Sequence, residues 1–110
     1  MITLFLMTYK GYSVLRTLIN QNKQGLISKV IIGEDKKVAR DYSSEIIGLC
    51  EKNNIDHEKR NKRSKAESCY SIAVSWKWII KDKNTKLIVI HDSLLPKYNL
   101  TASSFWLVLD

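Results

Sequence analysis

Residues 2–32, ITLFLMTYKGYSVLRTLINQNKQGLISKVII, decide the fold. Ile2 to Leu6 is a short, mostly apolar run of strand length, the pattern of a strand buried on both faces of a parallel sheet. Residues 10–21 place Val14, Leu15, Leu18 and Ile19 on one helical stripe. Gly25 stands where a helix-to-strand turn would end. Ile27 to Ile32 is rich in β-branched side chains and reads as a second strand, closed by Gly33. Strand, helix and strand at this spacing make a βαβ unit, and such units build parallel sheets.

The alternation continues. Asp35 reads as a cap or turn residue, and from 37 to 52 Val38, Tyr42, Ile46, Leu49 and Cys50 recur at helical spacing. Asn53-Asn54 is a stop signal. Ile55 to His57 reads as a short third strand, Cys69 to Ser75 as a fourth and Leu87 to Ile90 as a fifth. Between the last two lies a segment holding Trp76, Trp78, Ile79 and Ile80. The expected fold class is α/β: a Rossmann-like parallel sheet with right-handed crossovers that put helices on both faces. A doubly wound sheet usually continues after its fifth strand, and only Asp92 to Asp110 follow here, so the fold reads as incomplete at the C-terminus. No repeat or linker divides the chain, so residues 1–110 read as a single domain.

Composition agrees. The chain has 110 residues, of which 45% are hydrophobic and 26% charged. That excludes wholesale disorder, and four Gly with one Pro exclude collagen-like and Pro-rich classes. No apolar run reaches the roughly 18 to 20 residues of a membrane helix. Ile2 to Met7 is too short for a signal peptide and lacks a basic leader, so a cytoplasmic location without a membrane is expected. Cys50 and Cys69 form no CxxC pair and are expected to be reduced core thiols.

The net charge of +7 asks for an anionic partner. Residues 57–65 hold Lys59, Arg60, Lys62, Arg63 and Lys65 against Glu58. Residues 77–86 hold Lys77, Lys81, Lys83 and Lys86 against Asp82. Both runs read first as solvated faces. Residues 57–65 contain no aromatic, which disfavours a nucleic-acid patch. Classical nucleotide motifs are missing too. The turn after the first strand, Met7-Thr8-Tyr9-Lys10-Gly11-Tyr12, has a single glycine and matches neither GxGxxG nor a P-loop.

One segment carries a signature. In Leu87-Ile88-Val89-Ile90-His91-Asp92-Ser93-Leu94-Leu95-Pro96-Lys97-Tyr98 an apolar strand delivers His91 at its carboxyl end, where open α/β sheets bind ligands. From position alone, His91 is either a site residue or a hydrogen-bonded structural histidine. Ser93 lacks a GxSxG context and reads as a turn or cap residue.

His91-Asp92-Ser93-Leu94-Leu95-Pro96-Lys97-Tyr98 resembles the motif of the folate-dependent formyltransferases, Asn-x-His-x-Ser-Leu-Leu-Pro followed by an aromatic and a basic residue. That family includes methionyl-tRNA formyltransferase, glycinamide ribonucleotide transformylase and the sugar-nucleotide N-formyltransferases. Lys10-Gly11-Tyr12, Val74-Ser75-Trp76 and Ile79-Ile80 add to the likeness, which spans most of residues 1–98. The resemblance implies the family's N-terminal domain in truncated form. It implies formyl transfer from formyl-tetrahydrofolate to an acceptor amine, such as an amino sugar nucleotide, through a tetrahedral intermediate. Carried over by resemblance, His91 is the oxyanion-stabilising or proton-transfer group. Ser75, Trp76, Trp78 and Ile79 wall the folate site. Lys10, Lys97 and Tyr98 face the substrate, and no metal is implied.

The chain departs from the pattern in named places. The motif Asn falls on Val89, which cannot donate a hydrogen bond, and loss of one oxyanion donor costs about 100- to 1,000-fold in rate. After Tyr98 the chain reads Asn99-Leu100-Thr101-Ala102, and the family's later catalytic Asp has no counterpart. A catalytically incomplete member is therefore expected. The alternative is a pseudoenzyme that acts through self-association as a homo-oligomer, with Phe105 to Leu109 covering an open face or pairing with another chain. A basic nucleic-acid-binding module is the third reading.

Overall fold

The computed structural model describes residues 1–92 and 105–109, with side chains for 1–90. Strand β1 spans Ile2–Leu6, helix α1 Thr8–Asn20, β2 Ile27–Ile32, α2 Ser43–Lys52, β3 His57–Lys59, β4 Tyr70–Val74, β5 Lys86–Asp92 and β6 Phe105–Leu109. The strands form one sheet in the order β3-β2-β1-β4-β5-β6. The first five run parallel, so the α/β, Rossmann-like expectation holds. Strand β6 pairs antiparallel with β5, from Ile88 opposite Leu109 to Asp92 opposite Phe105. The apolar C-terminal run is thus a strand on this chain's own sheet edge.

Period-two alternation divides β1 between two cores. Leu4 and Leu6 join Leu15 of α1 and Ile46 and Cys50 of α2, together with Val30, Ile32 and Val74. Phe5 and Met7 point the other way, into a second cluster with Ile31, Ala73, Trp76 and Leu87. A strand that feeds two cores must be apolar on successive residues, which is why β1 and β2 lack a polar alternation.

Both helices pack on the same face, and this corrects the expectation of helices on both. The reason lies in strand order. The chain steps from β1 to β2 to β3 in one direction, and right-handed crossovers send α1 and α2 to one side. It then reverses to β4 and β5, so the later crossovers cross the opposite face. Those crossovers, residues 60–69 and 75–85, contain no helix. Trp76, Trp78 and Ile80 cover that face instead.

Two bounds also shift. The second helix begins at Ser43 rather than near 37, because Asp41 holds the preceding loop. The Asp41 carboxylate accepts hydrogen bonds from Asp35 N at 2.9 Å, Ser43 N at 3.0 Å and the Ser43 hydroxyl at 2.8 Å. Burial raises its pKa, but these donors outweigh burial and hold the carboxyl below its usual range. Tyr42 then takes a left-handed backbone (φ 62°) before the helix starts. The third strand runs two residues later than expected because Ile55 packs into the helix-side core instead of pairing. Of the two thiols, Cys50 is buried as expected, while Cys69 is exposed; both are free.

Candidate functional site

Strands β1 and β4 are neighbours, and the chain leaves them toward opposite faces. This is the switch point at which open α/β sheets bind ligands. Backbone geometry there is unusual. Thr8 after β1 and Ser75 after β4 both adopt positive φ, 63° and 55°. Non-glycine residues in this region cost about 1 kcal/mol or more and cluster at functional sites. Met7 N donates to Val74 O at 3.3 Å, and Ser75 N donates to Ile90 O at 3.1 Å. The second bond stitches the Ser75 turn to β5 immediately before His91.

From Ser75 the chain turns onto the helix-free face and builds an aromatic shelf. Trp76 packs edge-on against Phe5, with ring centroids 5.3 Å apart. Trp78 packs edge-on against Trp76 at 5.1 Å. The Arg60 guanidinium lies 3.9 Å from the Trp78 centroid, and the Lys77 ammonium lies 5.2 Å from it. Gly33, just past β2, makes room for this packing. A Cβ there would lie 2.6 Å from Met7 Cγ and 2.7 Å from Trp78 Cζ3.

Two cavities open around the shelf. The larger, about 490 Å³, has Phe5, Trp76 and Trp78 in its wall. The smaller, about 340 Å³, is lined by Ala73, Trp76, Trp78, Ile79, Ile80 and Val89. These volumes suit a drug-sized ligand with a flat apolar portion. Ile79 lines both cavities yet is 83% exposed, so a large apolar side chain stands open beside them.

The structure brings Ser75, Trp76, Trp78 and Ile79 together on one turn beside β5. Lys10 lies apart from them, in the first turn of α1 and outside the lining of either cavity. The His91 backbone occupies the penultimate position of β5, at the carboxyl edge; its side chain lies outside the described residues. Lys97 and Tyr98 lie wholly outside them.

Phe5, Gly33 and Arg60 are part of the shelf without having been expected there. The 57–65 run lacks aromatics of its own, but the fold supplies Trp78 from another crossover. Only the excess of cations in that run signalled it. Among the described residues no group of three or more His, Cys, Asp or Glu side chains is arranged to hold a metal ion. None of the helices among them is long and apolar enough to cross a membrane.

Comparison with known proteins returns no matching family model, no matching curated protein and no matching solved structure.

Proposed function

We propose that the aromatic shelf binds formyl-tetrahydrofolate and that the chain is a formyltransferase-family protein. One observation carries the proposal. The Ser75–Ile79 turn, with its two edge-packed tryptophans and open cavities, is hydrogen-bonded to β5 beside His91 at the switch point of the sheet. The likeness of His91 to Tyr98 to the formyltransferase motif supplies the chemistry.

Bound formyl-tetrahydrofolate would supply an activated formyl carbon: the acceptor nitrogen forms a bond to it, the bond from that carbon to the folate nitrogen breaks, and the proton lost by the amine ends on the departing tetrahydrofolate nitrogen. Trp76 and Trp78 orient its flat ring system by stacking and edge contacts. By the motif likeness, His91 would donate to the oxygen on which negative charge develops, or take the proton released by the amine. The acceptor is a small amine, with an amino sugar nucleotide as the expected class, approaching from the carboxyl edge.

Val89 favours a second reading, folate binding without transfer. Its side chain packs among the apolar residues of the helix-free face and lines the smaller cavity, where the family motif has an amide. Calorimetry with formyl-tetrahydrofolate tests the shared claim. Saturable binding that Trp78→Ala weakens at least tenfold supports it. No heat at millimolar ligand, from protein with a cooperative unfolding transition, defeats both readings. Formylation of an amino sugar nucleotide by the same sample separates transfer from binding alone.

A further inference from the structure

Strand β6 closes one side of the sheet, and the hydrogen bonds of its neighbours fix which way its backbone faces. Lys86 N donates to Cys69 O, and Ser75 N donates to Ile90 O at 3.1 Å, so Lys86 and Ile90 of β5 direct their backbone groups toward β4. Backbone groups alternate sides along a strand, so Ile88 does the same, while Val89 and His91 face β6. Val89 and His91 are therefore the hydrogen-bonded partners of Val108 and Trp106. Leu109, Leu107 and Phe105 stand opposite Ile88, Ile90 and Asp92 in the other kind of pair, which exchanges no bonds. The N–H and C=O groups of Phe105, Leu107 and Leu109 thus point away from β5. Among the described residues no strand pairs with that side of β6.

The two edges of the sheet differ. The opposite edge, β3, is three residues long and carries Glu58 and Lys59, each in an ion pair. Short length and charge are the usual guards of an edge strand. Strand β6, Phe105-Trp106-Leu107-Val108-Leu109, is longer and has neither charge nor proline. It is also self-complementary. A second copy running antiparallel, with Leu107 opposite its own counterpart, sets Phe105 of each copy opposite Leu109 of the other. All three are hydrogen-bonded pairs, and every outward N–H and C=O of both strands is satisfied. Two-fold pairing of this kind consumes β6 in both copies and leaves only guarded β3 edges, so assembly stops at two.

We propose that β6 is a self-association edge, through which two copies of this chain join antiparallel about a two-fold axis at Leu107. The product is one continuous sheet with six strands from each copy. This inference stands apart from the folate reading, whose failure would leave it untouched. The paired segment is short, so the dimer should dissociate on dilution.

Leu107→Pro is the selective variant. Proline removes the outward amide at the centre of the pair and spares the amides of Trp106 and Val108, which face β5. Sedimentation equilibrium of the full chain should show wild type passing from one chain mass to twice that mass as concentration rises. Leu107→Pro should stay at one chain mass where wild type is dimeric, while still unfolding cooperatively. Hydrogen exchange gives a second readout that needs no variant. The wild-type amides of Phe105, Leu107 and Leu109 should exchange at least about tenfold faster after dilution to monomer, with those of Trp106 and Val108 unchanged. Should Leu107→Pro fail to fold, this exchange pattern decides alone. A wild type that stays monomeric at every concentration would overturn the proposal and leave the edge to a strand of another protein. A dimer that survives in folded Leu107→Pro, or outward amides whose exchange ignores concentration, would also overturn it. So would a mass that grows without stopping at two chains.

Discussion

Gly33 shows how a single hydrogen atom in place of a methyl group sets the site. Its amide donates to Leu6 O at 3.0 Å, which ties the end of β2 to β1, and Met7 and Trp78 close over its bare Cα. Gly33→Ala should displace Trp78 or Met7 and destabilise the fold by about 1 to 3 kcal/mol, the range for an overpacked core. Denaturant unfolding followed by tryptophan fluorescence measures both effects at once. Cys50 makes a second residue-level prediction. Burial pushes its thiol up to about 12. Above about pH 9 the unfolded chain releases this proton while the folded chain retains it. The folded state then binds more protons, so stability falls with rising pH by up to about 1.4 kcal/mol per unit until the folded thiol also ionises. That slope between about pH 9 and pH 11 should be absent from Cys50→Ala, as urea titrations at several pH values would show. Alkylation of native protein at pH 8 should modify Cys69 alone, since Cys69 is exposed and Cys50 is not.

At the level of elements, the helix-free face is held by polar side chains at the amino end of the sheet. Lys29 of β2 bridges Glu58 of β3 at 2.6 Å and Glu67 of the following crossover at 3.1 Å. Thr3 is fully buried, donates to Ser68 Oγ at 3.1 Å and accepts from Glu67 N at 3.1 Å, while Ser28 is hydrogen-bonded to Ser68. These contacts pin the 60–69 crossover across β1 and β2. Such a latch replaces the helix that would otherwise cover this face. The Lys29 ammonium holds the Glu58 carboxyl below its usual range, so this contribution is present at neutral pH and is lost as pH falls through the acid range. Lys29→Met should leave Glu58 and Glu67 without their cation and cost about 1 to 2 kcal/mol, discounted from a fully buried pair because both carboxylates are partly exposed. Proteolysis within residues 60–69 should accelerate in that variant, and an unchanged cleavage rate would argue against the latch. The sequence pattern foretold β1, β2, β4, β5 and α1 because their apolar residues recur at fixed periods. It foretold neither this network nor the loop before α2. Lys29 and Glu67 are 38 residues apart, and the start of α2 depends on one carboxylate gathering three donors.

Across the whole molecule, one topological fact organises the site. Reversal of strand order at β1 and β4 puts both helices on one face and leaves two helix-free crossovers on the other. The five parallel strands were legible in the sequence, and residues 75–79 stay together because neighbours in sequence remain neighbours on a turn; the sixth, antiparallel strand was not legible. The cations that line the larger cavity, Arg60, Lys62, Lys65, Lys81 and Lys83, were visible only as two separate charge runs, which local composition assigns to solvent. Their meeting at one cavity follows from the crossovers sharing a face, and the stacking of Arg60 on Trp78 follows from it too. Lys10 shows the converse: a resemblance grouped it with the ligand site, while α1 carries it away from the cavities. The central proposal is that the aromatic shelf on the helix-free face binds folate. A crystal structure of the protein with a stable formyl-tetrahydrofolate analogue tests this most directly. The account predicts the ligand's ring system seated against Trp76 and Trp78. Ligand bound on the helix-bearing face, or a shelf left empty at saturating ligand, would contradict it.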